Sequence, residues 1–262
     1  MDRRTFNASL SSGIAIATLL GQMQQAAADA PPPPSRERPR YIMLLHPDMV
    51  MMDLVGPATT FSLTMGELHF VWKSKTAVTT DLGLSLAPTD TFDSCPQESD
   101  VLFVPGGLTG STALMEDAET LDFLRDRAGK TRFVTSNCSG ALVLGAAGLL
   151  TGKKATALWY VKDLLPIFGA VVSDGRVVED GNVITSRGVT AGIDLGLTVA
   201  AKIRDEGWVR KMMLTLEYAP EPPFDGGRPE TEASEHVNAV RNRRAPKVAA
   251  AKAAAERAAL QL

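Results

Sequence analysis

Cysteine is scarce in this chain: Cys95 and Cys138 are its only two. That excludes a disulfide framework as the source of stability, and 262 residues are enough to bury a sizeable core without one. A surplus of either charge is also missing. With 27 Lys and Arg against 30 Asp and Glu, no global field draws the chain to nucleic acid or to a lipid surface. Long apolar runs are absent as well. The best candidate, Ile14 to Leu20, is too short, and its surroundings too rich in Ser, Thr and Gly, to span a bilayer. No stable membrane anchor is therefore expected. No internal repeat is found. What remains, at 45% hydrophobic residues, is an ordinary globular composition with one core. Neither a cofactor nor a metal ion is expected.

The first residues do not read as part of a fold. Arg3-Arg4-Thr5-Phe6 is a twin-arginine pair followed by an aromatic residue, then by the mildly apolar run. Ala26-Ala27-Ala28 and Ala28-Asp29-Ala30 offer small-residue cleavage sites. Residues 1–30 thus match a twin-arginine (Tat) export signal, which predicts a periplasmic protein. Pro31 to Pro34, with the charged residues up to Arg40, predict an extended tether over 31–40. The folded domain is expected over 41–230, followed by an Ala- and Arg-rich helical tail over 231–262. From Ala245 onward that tail reads as a solvated helix or a frayed end, and Arg241, Arg243, Arg244 and Lys247 as a solvated face.

Between these limits strand and helix signals alternate. Tyr41 to Leu45 is a short apolar strand, broken by His46-Pro47-Asp48; a helix follows through about Leu63, with Asp53 near its start. Leu68 to Lys73 is a second strand, and Leu82 to Ala87 a weak one expected near the sheet edge. Val101-Leu102-Phe103-Val104 is a continuous apolar run, as a parallel strand buried on both faces requires. Asp117 reads as an N-cap, with Leu121, Leu124 and Ala128 on one helix face. Asp180-Gly181 marks a hairpin, and Ala191 to Ile203 and Trp208 to Tyr218 read as helices. The alternation predicts an α/β fold: a mostly parallel sheet with helices on both faces, a flavodoxin-like sandwich.

The chemistry concentrates at Phe133 to Leu150. A β-prone run ends at Asn137-Cys138-Ser139-Gly140 and an Ala/Leu/Gly-rich helix begins. A sharp strand-to-helix turn presents its central side chain to a substrate, so Cys138 reads as the nucleophile of a cysteine elbow. The helix dipole behind it is expected to favour thiolate. Gly140 is expected to keep the approach open. Pro105-Gly106-Gly107 follows a buried strand, and its backbone N–H groups are candidates for an oxyanion hole. Asp53, Gly106-Gly107 and Cys138 each follow a strand, so they should converge beyond the carboxyl edge of the sheet. His46 follows the first strand and is a candidate auxiliary base, against the plainer reading of a solvated loop histidine. A Cys95–Cys138 bridge would block the nucleophile; two free thiols are expected.

The motifs Met52-Asp53-Leu54-Val55-Gly56-Pro57, Val104-Pro105-Gly106-Gly107 and Asn137-Cys138-Ser139-Gly140 resemble the ThiJ/PfpI superfamily, with its glutamine-amidotransferase-like fold, from about Tyr41 to Pro229. Ala113 to Asp117, Thr190-Ala191-Gly192-Ile193-Asp194 and Leu216-Glu217-Tyr218-Ala219-Pro220 resemble its isonitrile hydratase subgroup. The resemblance implies Cys138 as nucleophile, Asp53 as acid/base, Ser139 in support, and a homodimer. The chain also departs from the pattern. Leu158 stands where relatives carry a histidine, Ser139 where Thr is common, and His46 where Phe is common. Chemistry in which His activates Cys is thereby disfavoured. Isonitrile hydration through a Cys138 thioimidate needs no histidine, and an apolar Leu158 suits a small uncharged substrate. The alternatives are a non-catalytic ligand-binding or sensor protein, or a Cys-dependent glyoxalase- or chaperone-type activity.

Overall fold

The computed structural model describes residues 38–262. The export signal and most of the tether expected from the sequence lie outside the described residues.

The strands in chain order are β1 (Arg40–Leu44), β2 (Glu67–Trp72), β3 (Val78–Thr79), β4 (Ser85–Leu86), β5 (Asp90–Thr91), β6 (Ser99–Val104), β7 (Thr131–Asn137), β8 (Lys154–Ala155), β9 (Val171–Val172), β10 (Val177–Asp180) and β11 (Val183–Ser186). The helices are α1 (Met51–Ser62), α2 (Leu108–Leu114), α3 (Ala118–Ala128), α4 (Gly140–Ala146), α5 (Ala191–Ile203), α6 (Glu206–Thr215) and α7 (Ser234–Ala259), with a 3-10 segment over Lys162–Phe168. Seven strands form the main sheet in the order β10-β11-β7-β6-β1-β2-β5. All neighbours are parallel except the β10–β11 hairpin, which turns at Asp180-Gly181. Within it, β2-β1-β6-β7-β11 is the flavodoxin-like order 2-1-3-4-5, whose direction of winding reverses between β1 and β6.

Side chains alternate across each strand, so one sheet feeds two cores. Tyr41, Met43, Val101, Phe103 and Phe133 face α1 and α5. Ile42, Leu44, Leu102, Val104 and Val134 face the other layer, with α3, α4 and the last turns of α7. Asp117 caps α3 as expected, accepting a hydrogen bond from the Thr120 N–H, and Leu121 and Leu124 are buried beneath it.

Two expectations need correction, and one helix was not anticipated. The segment Leu82 to Ala87 does not join the sheet. It contributes β4 to a separate ribbon with β3, and the edge strand is β5. Its pattern is too short and polar to compete for a central place. The C-terminal tail is not solvated throughout: Arg241, Arg243 and Lys247 are exposed as expected, but its last turns are packed. In α7, Ala251, Ala254, Ala255 and Ala258 are buried at a spacing that makes one helix face. Arg257 clamps Glu116 through two hydrogen bonds of 2.7 and 2.9 Å. Alanine is small enough to let this helix sit close, which is why the stripe carries little hydrophobic signal in the sequence. Finally, α2 itself gave no sequence signal; it begins where Gly107 turns the chain.

Candidate active site

The site is assembled from the carboxyl ends of β1, β6, β7 and β11. Strand β7 ends at Asn137, and Cys138 adopts φ of 59°, a left-handed conformation rare outside glycine. Its backbone is pinned on both sides. The Cys138 N–H donates to the Ser186 carbonyl at 3.1 Å, and its carbonyl accepts from the Leu158 N–H at 3.3 Å. The strained turn is held by its neighbours, as an elbow must be. Cys95 lies apart, in the core beneath Phe92; both thiols are free and buried.

Asp53, in the first turn of α1, is fully buried. Its Oδ1 accepts from Asn137 Nδ2 at 2.7 Å. Asn137 also donates to the Val189 carbonyl at 2.9 Å and accepts from Ser186 Oγ at 2.8 Å. The amide is thus fixed in orientation, and it fixes the carboxylate. A Cβ on Gly192 would sit 2.6 Å from Asn137 Nδ2, so the glycine of the Thr190-Ala191-Gly192 run leaves room for that amide. Asp53 Oδ2 is sealed from solvent and has no hydrogen bond of normal geometry among the described residues. What faces it is the Cys138 thiol and the Gly106 N–H.

Burial raises the Asp53 pKa to about 7, against the downward pull of the thiol and the Gly106 N–H. Burial and the Asp53 carboxylate together push the Cys138 thiol well above its ordinary value, while the Ser139 N–H and hydroxyl lean the other way. This corrects the expectation of a helix-stabilised thiolate. The helix behind Cys138 is only two turns long, and a sulfur with 2% exposure beside a carboxylate loses more from desolvation than a short dipole returns. The resting pair is a neutral thiol facing a carboxyl group poised near neutrality.

The support residues divide. The Gly107 N–H already donates to Ser139 Oγ at 3.0 Å, so it is spent and cannot serve an oxyanion. Gly107 is glycine for its φ of 136° and because a Cβ would lie 2.4 Å from the Asp48 carbonyl oxygen. Ser139 Oγ also pairs with Ser111 Oγ at 2.9 Å, tying the elbow to α2. The donors that face the reacting atoms are the Gly106 and Ser139 N–H groups. Gly140 does not guard the approach either: its Cβ would meet the Val104 carbonyl oxygen at 2.3 Å, so it permits close packing of α4 on β6.

His46 is buried, not solvated. Its Nδ1 lies 2.9 Å from the Pro47 carbonyl oxygen and its Nε2 3.3 Å from that of Pro105, so both ring nitrogens face backbone carbonyls. Burial lowers its pKa, and the imidazole braces the Pro105-Gly106 turn. The ring of the expected auxiliary base thus faces the Pro47 and Pro105 carbonyls, with one N–H to give to either, and not the Cys138–Asp53 pair. Asn137, Ser186 and Ser111 were not singled out by sequence. Their one local sign was polarity at positions where a buried strand or helix demands a partner.

A model of the DJ-1/PfpI family matches residues 39–202. The chain belongs to that family. It is 49% identical over 220 residues to the isonitrile hydratase of Pseudomonas putida, covering 84% of this chain and 96% of that one. A solved ThiJ/PfpI family protein from Pseudomonas syringae superposes with a TM-score of 0.81 at 45% identity, covering 83% of this chain and 90% of that one. The dj-1beta protein of Drosophila melanogaster is 31% identical over 139 residues, 53% of this chain and 71% of the relative. The ThiJ/PfpI resemblance and the mostly parallel α/β sandwich are thus established. Among the described residues no group of three or more His, Cys, Asp or Glu is arranged to hold a metal ion, and no helix is long and apolar enough to cross a membrane.

The Asp53 shift has a stability consequence. Its folded value, about 7, lies above the ordinary 3.8, so between these pH values the folded state holds a proton that the unfolded chain has released. Stability therefore falls as pH rises through this window, and the whole cost is present above pH 7. Asp53→Asn removes the ionisation. Relative to wild type, it is expected to gain on the order of 2–4 kcal/mol between the acid and alkaline ends of the window. Thermal melts of both proteins across the window check this; a difference that does not vary with pH contradicts a raised Asp53.

Proposed function

We propose that this protein is an isonitrile hydratase-type hydro-lyase. The observation that carries the proposal is the buried Cys138 side chain facing the buried Asp53 carboxyl group, with Asn137 holding that group and no histidine facing the pair among the described residues. The relative's activity, named for the Pseudomonas putida protein, fits this equipment.

Asp53, as the carboxylate, takes the thiol proton while Sγ bonds to the terminal carbon of R–NC. It returns the proton to that same carbon, leaving a thioformimidate, R–N=CH–S, on Cys138. Water then adds across the C=N bond, its oxygen bonding to carbon and nitrogen gaining a proton. Collapse breaks the C–S bond, the hydroxyl proton returns to sulfur through Asp53, and R–NH–CHO leaves. The sum is R–NC plus water giving the N-substituted formamide, without redox change. A group near pH 7 can both accept and return this proton at little cost, which is what the burial of Asp53 supplies. The Gly106 and Ser139 N–H groups are placed to stabilise charge as the adduct forms. Leu158 in place of histidine costs this route nothing. Homodimeric assembly and periplasmic export belong to the same proposal.

Purified protein incubated with alkyl isonitriles, 2-oxoaldehydes and small amides is the test. Formamide appearing from the isonitriles, read by proton NMR, is the expected result. Turnover of the oxoaldehydes alone would replace this reading with a glyoxalase-type activity, and no turnover at all would favour a binding protein.

A further inference from the structure

Beside the elbow lies a cavity of about 380 Å³, within the size range of small-molecule sites. It is joined to the reacting pair through its own lining. Leu158 donates its N–H to the Cys138 carbonyl, and the Val189 carbonyl accepts from the Asn137 amide that holds Asp53. The Leu158 side chain crosses toward Gly188, where a Cβ would come within 2.3 Å of Leu158 Cδ1. The wall nearest the elbow is thus apolar at Leu158 and Gly188 and lies one backbone hydrogen bond from Cys138.

The outer wall is different: Arg176, Arg187 and Arg228 all line it. Two are answered by carboxylates. Arg176 binds Asp194 at 2.6 Å, and Arg187 binds Glu230 at 3.0 Å. The acidic lining residue, Asp174, is engaged by Lys162. The guanidinium of Arg228 has no hydrogen bond or ion pair among the described residues. The loop that presents it, between α6 and α7, is shaped by Gly226 and Gly227, both at positive φ, and is tied down by the Arg187–Glu230 pair and by the Gly227 N–H to Glu232 at 2.8 Å. Long ordered loops of this kind often serve binding. Two further cations flank the same wall from α7. Arg241 stacks over the ring of the lining residue Trp159, 5.4 Å from its centroid, and Arg244 lies one helical turn on from it in α7.

We infer that the substrate carries a carboxylate on the side away from its reacting carbon, and that Arg228 binds it. An apolar floor at Leu158 meets the isonitrile end, and a cationic rim with one unanswered guanidinium meets the other. This replaces the small uncharged substrate expected from Leu158 alone. A guanidinium suits a carboxylate through two parallel N–H donors, a geometry that lysine does not provide. The inference rests on the reading of Cys138 and Asp53 as an isonitrile-hydrating pair.

The test uses both turnover and binding. Wild type, Arg228→Glu and Arg228→Gln are compared on isocyanopropanoate and its methyl ester, and calorimetry measures binding of the formamide products, N-formyl-β-alanine and its methyl ester. Wild type is expected to prefer the acid by about tenfold or more in both assays, and both variants to lose that preference. Arg228 is exposed, so its replacement leaves the core untouched, and Arg228→Gln separates loss of the donor from introduced repulsion. Equal handling of acid and ester by wild type, or a preference that survives both variants, overturns the inference even if both isonitriles are hydrated. Selective binding of N-formyl-β-alanine without hydration of either isonitrile upholds the anion site and overturns the hydratase reading instead.

Discussion

Cys138→Ala is expected to abolish formamide production, lowering kcat/KM by roughly 10³-fold or more, as loss of a nucleophile does in enzymes whose groups act as a unit. The reason is geometric. The Cys138 thiol is the one that faces Asp53, and the other free cysteine, Cys95, belongs to the core under Phe92. Without sulfur there is no thioformimidate. The fold should survive. Alanine keeps the Cβ that the φ of 59° already accommodates, and the backbone bonds to Ser186 and Leu158 do not involve the side chain. Comparing melting curves with isonitrile turnover separates the two effects. Turnover near the wild-type rate in a folded Cys138→Ala protein would rule out the thioformimidate route and leave Asp53 acting on water alone.

The second large effect is expected at Gly106. A Cβ there would lie 2.6 Å from Asp53 Oδ2, 2.6 Å from Cys138 Cβ and 2.8 Å from the Ser139 nitrogen. In the proposed mechanism these are the acid/base oxygen, the nucleophile's attachment and a candidate oxyanion donor, so a methyl group would drive apart the atoms that this mechanism brings together. None is the free end of a flexible side chain: Asp53 is held by Asn137, and the other two belong to the strained elbow. Gly106→Ala is therefore expected to cost about 1–3 kcal/mol of stability from overpacking. It should also cost about 10² or more in kcat, since displacement of roughly 1 Å at a reacting centre is enough for that. The loss should fall on kcat more than on KM, because Gly106 is not among the residues that line the cavity on the Leu158 side. A stable, fully active Gly106→Ala protein would show that the Cys138–Asp53 contact is looser than this packing implies.

Much of the scaffold was legible in the chain because it is locally encoded. The run Val101 to Val104 can only be a strand covered on both faces, and it is the centre of β6. Asp180-Gly181 turns the β10–β11 hairpin, and Asp117 caps α3, each through bonds within a few residues. The elbow was legible for the same reason: a β-prone run, a cysteine and an Ala/Leu/Gly run abut without a break. The order of the parallel strands then brings Asp53, Gly106 and Cys138 to one edge.

What the tertiary structure decided is which of those residues are free to act, because that depends on partners far away in sequence. Asn137 reaches Asp53 across 84 residues. Ser139 takes the Gly107 N–H across 32, removing one candidate oxyanion donor. His46 sets its ring between the carbonyls of Pro47 and Pro105, and no local pattern announces the second. The alanine stripe of α7 has helical spacing in the sequence, but only the surface it meets makes it core. The protonation of the nucleophile depends most on such distant neighbours. The chain shows a cysteine at a helix start, which favours thiolate; folding buries that sulfur against a carboxylate from the first turn of α1, and desolvation with like charge outweighs two turns of dipole.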